Sequence, residues 1–423
     1  MSEAVDKAPG ADTLGAGPLS GIKVLDLSRI LTGPLCSMIL ADMGAEVIKI
    51  EEPGTGDQTR TLPPFTHGES PYFLAINRNK QSVCIDLKTQ AGRELLLKLA
   101  ARSDVLLENF RPGVLERLGL GREALMRSNP RLIVCAISGF GQTGPLRDKA
   151  AFDLIVQAMS GAMSLTGETD GPPTKMGIPM GDIAAGLWAA IGILAALQKR
   201  NATGQGSYID LSMLEGLMAL LGSIAQIYLS TGTTPGRVGS SHHSTVPYGR
   251  FEVKDGHMVV AIYAVSFWRK FCAAIGREDL ADNPRFAKPG DRHSNRVELE
   301  QLVVDVMRTK TAQQWQLIFE AGDVPYAPVH SVGEALEQEV VAQRELLRTV
   351  THRVAGEMRL IGSPLHFEGF DDSNYRPAPL LGEHTQLVLA GLGYADADIS
   401  KLAEEGAIGL VDGDDGPGST GRS

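Results

Sequence analysis

The first half of the chain alternates short apolar runs with longer stretches of helical periodicity. The apolar runs are rich in Val, Ile and Leu, and helical patterns at 34–43 and 89–101 separate some of them. Strands that alternate with helices predict an α/β fold, in which helices cover a parallel sheet and ligands bind at the carboxyl ends of the strands. The predicted strands lie at 22–27, 46–50, 82–87, 104–107 and 132–137.

The pattern changes near residue 231, which indicates a second domain. Long apolar helices are predicted at 183–198 and 212–230, before a stretch rich in Gly, Ser and Thr. Two further strands then flank Asp255-Gly256, a dipeptide typical of hairpin turns. The predicted organisation is a mobile tail at 1–20, a large domain at 21–231, a smaller α+β domain at 232–330, a return to the large domain at 331–408 and a mobile tail at 409–423.

Composition narrows the class of protein. The 423 residues are 43% hydrophobic and 21% charged, which fits a globular protein with a large core and excludes a disordered scaffold. A net charge of −10 argues against nucleic acid as the main partner. Four cysteines without CxxC spacing predict neither a disulfide framework nor a zinc ribbon. Since the N-terminus lacks a signal-peptide pattern and the apolar segment at 183–197 is short for a membrane span, we expect a cytoplasmic protein.

The segment Gly139–Gly144 fits the pattern G-x-G-x-x-G, which taken alone suggests a dinucleotide site. It follows a late strand, however, and Pro145 and three charged residues come next instead of an apolar helix. We therefore favour a glycine-rich loop that its backbone geometry requires. A nucleotide-binding module without catalysis is the alternative.

Asp182 stands at the start of a long apolar helix and has two interpretations. It can be an N-cap, whose carboxylate accepts backbone N–H bonds, and the pattern alone favours this role. It can also be a nucleophile that attacks an activated acyl group. His242 and His243 lie in a Gly/Ser-rich stretch without metal-ligand spacing, so they predict a loop that either covers a substrate or faces solvent.

Several motifs together resemble class III CoA-transferases, and the match runs in order over about residues 19–400. The resemblance implies a Rossmann-like large domain built from both chain ends, a small domain, and a homodimer of two interlocked chains. The motifs that carry it are Gly21–Leu27, Gly33-Pro34, Gly44–Glu51, Asn77–Lys80, Glu108–Gly113, Gly139–Pro145, Gly181-Asp182 and Pro379–His384.

The resemblance also implies a mechanism in which Asp182 is the nucleophile. Asp182 would attack a donor acyl-CoA, and an acyl anhydride and then an aspartyl-CoA thioester would form. The CoA thioester is the substrate, and no metal, nicotinamide or flavin is implied. The related α-methylacyl-CoA racemases carry an acid/base histidine where this chain has Phe152. Because phenylalanine cannot move a proton, an acyl-CoA racemase or epimerase is the less favoured alternative.

Individual binding residues also follow from the resemblance. The motifs at 56–60, 244–248 and 324–328 look most like those of succinate–hydroxymethylglutarate CoA-transferases, which implies succinyl-CoA as donor and a short dicarboxylic acid as acceptor. Formyl-CoA transferase has an arginine in place of Glu52, so one phosphate contact is expected to differ. The expected CoA contacts are Ile30, Leu31, Asn77, Lys80, Asn109, Arg111 and Arg117. The expected acceptor contacts are Arg60, with Arg29 and Arg78 as alternatives, and the loop bearing His242, His243 and Tyr248.

Overall fold

The structure is a computed structural model that describes residues 17–370 and 375–411. Most of the two predicted tails, residues 1–16 and 412–423, lies outside the described residues. The described strands are β1 (Lys23–Asp26), β2 (Glu46–Glu51), β3 (Lys80–Ile85), β4 (Val105–Glu108), β5 (Ile133–Ser138), β6 (Ser207–Ser212), β7 (Tyr248–Val253), β8 (Gly256–Ala261), β9 (Tyr326–Pro328), β10 (Leu347–His352), β11 (Gly356–Ile361) and β12 (Ile408–Gly409).

Helices connect most of these strands, and 3₁₀ turns occur at Gln58–Thr61 and Glu278–Leu280. The described helices are α1 (Thr32–Asp42), α2 (Pro71–Ile76), α3 (Gln90–Ala101), α4 (Val114–Arg117), α5 (Arg122–Ser128), α6 (Asp153–Met159), α7 (Ala162–Leu165), α8 (Met180–Thr203), α9 (Met213–Ala219), α10 (Gly222–Thr231), α11 (Val265–Ala274), α12 (Pro289–Ser294), α13 (Arg296–Met307), α14 (Ala312–Ala321), α15 (Val332–Leu336), α16 (Glu339–Gln343), α17 (Thr385–Gly391) and α18 (Asp396–Glu404).

The central sheet has the strand order β12-β3-β2-β1-β4-β5-β6. Strands β1 to β6 pair in parallel, and only β12 is antiparallel to its neighbour β3. The order 3-2-1-4-5-6 is that of a doubly wound Rossmann-type sheet, so the predicted α/β fold with a parallel sheet is confirmed. The strand order reverses between β1 and β4, where such folds place their ligands.

The central strands are buried along their whole length. Every residue of β4 and β5 is buried, as expected where helices cover both faces of a parallel sheet and apolar runs replace strict alternation. Helices α3 and α5, together with α17 and α18 from the end of the chain, contribute to one apolar cluster with these strands. Helix α8 packs against α1, β5 and β6.

Helix α8 is the one described helix long and apolar enough to cross a membrane, and half of its most apolar stretch is buried inside the protein. Its packing on α1 and α9 makes it a core helix of the large unit. The single helix predicted at 212–230 is wrong, because α9 ends at Ala219 and α10 begins at Gly222. The apolar pattern continues through this break and therefore does not reveal it.

The chain divides into two compact units. The smaller unit comprises Gly161–Met176 and Ser223–Val340, and the described remainder forms the larger one. The predicted small domain, 232–330, falls inside the smaller unit, but its boundaries are too narrow and it omits Gly161–Met176. These boundaries have no marker in the sequence, since the change in composition at 231 comes after the chain has already entered α10.

The smaller unit is built around an antiparallel sheet in the order β7-β8-β9. Val253 pairs with Gly256 across the β7–β8 turn, which confirms the predicted hairpin. Helices α11, α13 and α14 supply the buried apolar side chains of its core, among them Trp268, Phe271, Trp315 and Phe319.

The described ends of the predicted tails are not free. Leu19 is buried, and its N–H donates to the carbonyl of Met43 at 2.9 Å. Gly409 of strand β12 pairs with Cys84 of β3. Residues 17–20 and 409 therefore belong to the large unit. The prediction of mobility is wrong for these residues because isolated apolar side chains such as Leu19 pack in the fold although their neighbours are small and polar.

Candidate active site

Asp182 lies in the first turn of α8 but does not cap it. The helix begins at Met180, which makes Pro179 the N-cap residue and Asp182 the third helical residue. The carboxylate that binds the helix N-terminus belongs to Asp153, whose Oδ1 accepts the N–H of Gly181 at 2.8 Å. Gln157 Nε2 donates to the other oxygen of Asp153 at 2.7 Å. The N-cap interpretation of Asp182 is therefore wrong, and its carboxylate is available for other contacts.

The partner of Asp182 is Thr32, the first residue of α1. The Thr32 hydroxyl donates a hydrogen bond to Asp182 Oδ1, although 150 residues separate the two in sequence. Gly186 lies one turn after Asp182 on the same side of α8, and a Cβ there would be 2.8 Å from the Thr32 carbonyl oxygen. Glycine at this position thus lets the two helices approach closely enough for the contact to form.

The environment raises the pKa of Asp182 above its ordinary value. Partial burial is the largest cause, the Thr32 hydrogen bond opposes it, and the nearby charge of Asp153 adds to it. A partly buried carboxylate holds less of the water shell that weakens a nucleophile. Its position therefore suits attack on an acyl group.

A cavity of about 350 Å³ opens at the carboxyl ends of β1, β2 and β3 and beside the loop after β4. Its walls are apolar at Leu27, Ile50 and Phe110, and the Arg29 guanidinium lies 5.3 Å from the centre of the Phe110 ring. Three cations line this strand-end cavity, namely Arg29, Lys88 and Arg117. Its size and its mixture of apolar walls and cations suit a ligand with anionic groups.

Three of the predicted CoA contacts form or hold the loop between β1 and α1, and two others have exposed side chains. Asn109 holds the backbone of Arg29, accepting its N–H at 2.9 Å and donating to its carbonyl at 2.8 Å. Ile30 and Leu31 belong to the same loop. Arg117 lines the strand-end cavity, and Arg111 lies at a smaller pocket beside Glu108 and Tyr208.

Asn77 and Lys80 differ from the prediction because both are buried. Lys80 Nζ donates to the Pro34 carbonyl and to Asn77 Oδ1, each at 2.9 Å, and pairs with Asp26 at 3.4 Å. Burial is the largest influence on this ammonium and lowers the pKa of Lys80 to about 8. With its donors directed at protein oxygens, Lys80 has none left for a phosphate.

Arg60 and Arg78 also differ from the prediction. Arg60 makes a two-pronged contact with Glu51, with Nε and Nη2 2.8 and 2.7 Å from the carboxylate oxygens, and its guanidinium lies 3.6 Å from the Phe73 ring centre. Arg78 forms a similar pair with Asp42. Both pairs are buried, so neither arginine has a free fork for the carboxylate of an acceptor. The sequence could not show that these arginines are paired inside the protein. Glu51 ends a strand and Asp42 ends a helix, and carboxylates at such positions can equally well be exposed.

The predicted loop contacts belong to the smaller unit and are held by bonds within it. His242 Nδ1 accepts the N–H groups of Ser244 and Thr245 at 3.0 and 3.1 Å, which places the ring proton on Nε2. Its ring lies 5.2 Å from that of Tyr248, the first residue of β7. The carbonyl of His243 accepts from Arg296 at 3.2 Å. These bonds give the loop a defined shape.

The loop at Gly139–Gly144 lacks the geometry of a dinucleotide site. No helix begins directly after it, since α6 starts only at Asp153, and the N–H of Gln142 donates to the Asp210 carboxylate at 3.0 Å. A Cβ on Gly139 would lie 2.1 Å from the Cβ of Ala151, so close packing explains this glycine. In the described residues, moreover, no group of three or more His, Cys, Asp or Glu side chains is arranged to hold a metal.

The structure combines a Rossmann-type sheet, a half-buried carboxylate that does not cap its helix, and a cation-lined cavity at the strand ends. This arrangement is typical of an α/β enzyme that binds an anionic ligand. A family model described as "CoA-transferase family III" matches residues 19–385. The chain therefore belongs to the CoA-transferase family III and is an enzyme of that family, which confirms the resemblance seen in its motifs.

Individual relatives agree with this assignment. The chain is 38% identical over 402 residues to the succinyl-CoA:glutarate CoA-transferase of Mus musculus, covering 95% of this chain and 92% of that protein. It is 40% identical over 389 residues to the succinyl-CoA:mesaconate CoA-transferase of Haloarcula hispanica, covering 89% and 97%. The crystal structure of a CaiB/BaiF family protein from Brucella suis superimposes with a TM-score of 0.79 at 35% identity, covering 89% of this chain and 99% of that one.

Proposed function

We propose that the enzyme moves CoA from succinyl-CoA to a short dicarboxylic acid, with Asp182 as the covalent nucleophile. The observation that carries this proposal is the half-buried Asp182 carboxylate, which is not used as a helix cap. Among the described residues, its Oδ2 atom has no hydrogen-bond partner, so this oxygen is available to attack. Glutarate and mesaconate, named for the two relatives, are both dicarboxylates, which supports the choice of acceptor.

The reaction begins when Oδ2 attacks the thioester carbonyl of the donor. The C–S bond breaks, and an anhydride and a CoA thiolate form. The thiolate then attacks Cγ of Asp182, the Cγ–Oδ2 bond breaks, and the donor acid leaves an aspartyl-CoA thioester behind. The acceptor carboxylate repeats these steps in reverse, which regenerates Asp182. Each intermediate stays activated, so the energy of the thioester is kept as long as water is excluded.

We assign CoA to the strand-end cavity. Its volume of about 350 Å³ falls in the range of small-molecule sites, and the apolar walls suit adenine and the pantetheine arm. Arg29 and Arg117 line this cavity and would meet the phosphates, whereas Lys88 is paired with Glu52. Lys88 Nζ lies 2.5 Å from Glu52, so the acidic residue at 52 is accompanied by a neighbouring cation.

We further infer a homodimer, no metal or redox cofactor, and a cytoplasmic location. One side of α8 exposes Leu187 and Ile191 in the single chain, as expected of a helix that a second copy covers. The four cysteines are free and buried, which fits a reducing compartment.

The test is to incubate the enzyme with succinyl-CoA and a panel of acids and to follow CoA esters by mass spectrometry. We expect glutaryl-CoA or a similar dicarboxylate ester from the wild type and none from Asp182→Ala. Pentanoate, which has the length of glutarate but one carboxylate, is the matched acceptor control. Deuterium uptake at the α-carbon without a new ester would instead indicate a racemase and overturn the proposal.

A further inference from the structure

We propose that the Thr32 hydroxyl is a second catalytic group, which stabilises the negative charge that develops on Oδ1 whenever Cγ of Asp182 is attacked. This inference rests on the proposed aspartyl-CoA mechanism and adds a residue that no sequence motif indicates. Thr32 is buried, and its hydroxyl contacts a reacting atom directly.

The two oxygens of Asp182 differ in their surroundings. Oδ1 accepts the Thr32 hydroxyl, whereas Oδ2 has no hydrogen bond to the described residues. The free Oδ2 is therefore the attacking atom. Once it has formed the anhydride, Oδ1 is the carbonyl oxygen of the enzyme-bound acyl group, and it keeps that role in the thioester. Thr32 thus remains beside the same oxygen throughout the cycle.

Thr32 acts at the steps that occur on Cγ. When the CoA thiolate bonds to Cγ, the electron pair of the C=O bond moves onto Oδ1 and a tetrahedral intermediate forms. Collapse of this intermediate returns the pair, breaks the Cγ–Oδ2 bond and releases the donor carboxylate with that bond's electrons. A fixed donor at a developing oxyanion typically contributes about 10²–10³-fold in rate. Attack of Oδ2 on the donor carbonyl places its charge on the substrate oxygen, so this first step does not use Thr32 in the same way.

The structure fixes Thr32 in advance by holding the loop that precedes it. Asn109 clamps both backbone groups of Arg29, and the Asp57 carboxylate accepts the N–H of Ile30 at 3.2 Å. Lys49 pairs with Asp57 at 2.9 Å inside the protein. Ile30 has a φ of +69°, a conformation that costs a branched residue energy and persists only where its surroundings impose it. Such a preorganised donor needs no rearrangement when charge appears on Oδ1.

The packing of α8 on α1 fixes the other half of the contact. Asp182 and Gly186 are one helical turn apart, and Gly186 lies against the Thr32 carbonyl, with Leu35 Cδ2 3.1 Å from the position of a Cβ. The carboxylate therefore reaches the hydroxyl from a helix that packs against α1. Donor and acceptor are both held by the core of the large unit.

The experiment compares Thr32→Val, which keeps the shape and removes the hydroxyl, with Thr32→Ser, which keeps the hydroxyl. The enzyme is mixed with succinyl-CoA alone, and the aspartyl-CoA adduct is followed by rapid quenching and intact-protein mass. We expect Thr32→Val to slow adduct formation about 100-fold and Thr32→Ser to stay within about tenfold of the wild type. Since the hydroxyl opposes the rise in the pKa of Asp182, the acidic limb of the rate profile should also move to higher pH in Thr32→Val.

Thr385→Val is the matched control, because Thr385 is also buried and its hydroxyl accepts the N–H of Cys84 at 3.0 Å. It should lower stability without slowing the adduct. A wild-type rate in Thr32→Val, or an equal loss in Thr32→Ser, would overturn the role of Thr32. If the wild type itself forms no adduct, the proposed function has failed and not this inference alone.

Discussion

Replacing Arg60 with methionine removes a guanidinium from a buried ion pair and keeps a side chain of similar length. Arg60 is nearly buried and Glu51 almost completely so, with side-chain exposures of 11% and 1%. Loss of one partner of such a pair typically costs about 3–5 kcal/mol, because the other charge is left buried. Glu51 would keep the Ser82 hydroxyl at 2.6 Å and the N–H of Asp57 at 2.9 Å. We therefore expect a loss of about 3 kcal/mol, at the lower end of that range.

The pH dependence of this loss has a defined sign. Burial raises the pKa of Glu51, but Arg60 and Lys49 outweigh it and hold the pKa below its ordinary value. The stability that the pair contributes is thus present above the ordinary pKa of glutamate and is lost as pH falls through the lowered value. Without Arg60, Lys49 and Ser82 still oppose the effect of burial, but the pKa of Glu51 rises and the carboxylate is protonated more readily. The difference in unfolding free energy between wild type and Arg60→Met should therefore shrink from pH 7 towards pH 4.

The assay is urea denaturation of Arg60→Met, Glu51→Gln and the double variant. The double variant should be more stable than Arg60→Met by at least about 1 kcal/mol, since neutral glutamine needs no counterion. Arg269→Met is the matched control, because Arg269 forms an exposed pair with Asp282 and its loss should cost less than about 1 kcal/mol.

The same variant decides whether Arg60 binds the acceptor. Folded Arg60→Met should still prefer glutarate to pentanoate as strongly as the wild type does. The reasoning is refuted if Arg60→Met is as stable as the wild type and has lost that preference, because Arg60 would then bind the acceptor and not Glu51.

Three further changes test the site. Asp182→Asn should reduce transfer by about 10³-fold or more, and it should raise the unfolding free energy at pH 7. The pKa of Asp182 is raised in the fold, so ionisation of its carboxyl costs stability as pH rises through that value. Denaturation of wild type and Asp182→Asn at pH 3 and pH 7 should therefore show a gain in the unfolding free energy of the variant only at pH 7. Gly186→Ala places a Cβ 2.8 Å from the Thr32 carbonyl and should cost about 1–3 kcal/mol and at least tenfold in kcat, whereas Gly290→Ala, with open space around it, should leave kcat unchanged. Arg117→Glu should raise KM for succinyl-CoA about 10–100-fold with little change in KM for glutarate; equal KM values for succinyl-CoA would remove Arg117 from the CoA site.

Much of the fold could be predicted because the pattern of apolar residues is strong. The runs that form β4 and β5 are apolar nearly throughout, which is typical of strands covered on both faces. Strand β12 was not predicted, since its two residues are too few to show a period. The boundaries of the small unit were also misplaced, because a domain boundary depends on which segments pack together.

The site was predictable only in part. Asp182 was identified through its motif, but its partner Thr32 gave no signal in a stretch that reads as the start of an ordinary helix. The resemblance predicts Lys80 as a CoA contact, but its ammonium lies among buried oxygens of the protein. A cation without a visible partner in the sequence can be either a ligand contact or half of an internal pair.

The sequence by itself determined the alternation of strands and helices, the family and the position of Asp182. These properties follow from local periodicity and from motifs along the chain. The hydrophobic effect that buries apolar side chains requires no defined orientation of one group towards another. Only the tertiary structure decided which polar groups meet: Thr32 with Asp182, Asp153 with the start of α8, and Arg60 with Glu51. Hydrogen bonds and ion pairs require atoms about 3 Å apart in a defined orientation, and such distances are set by how distant segments pack, not by their spacing in the chain.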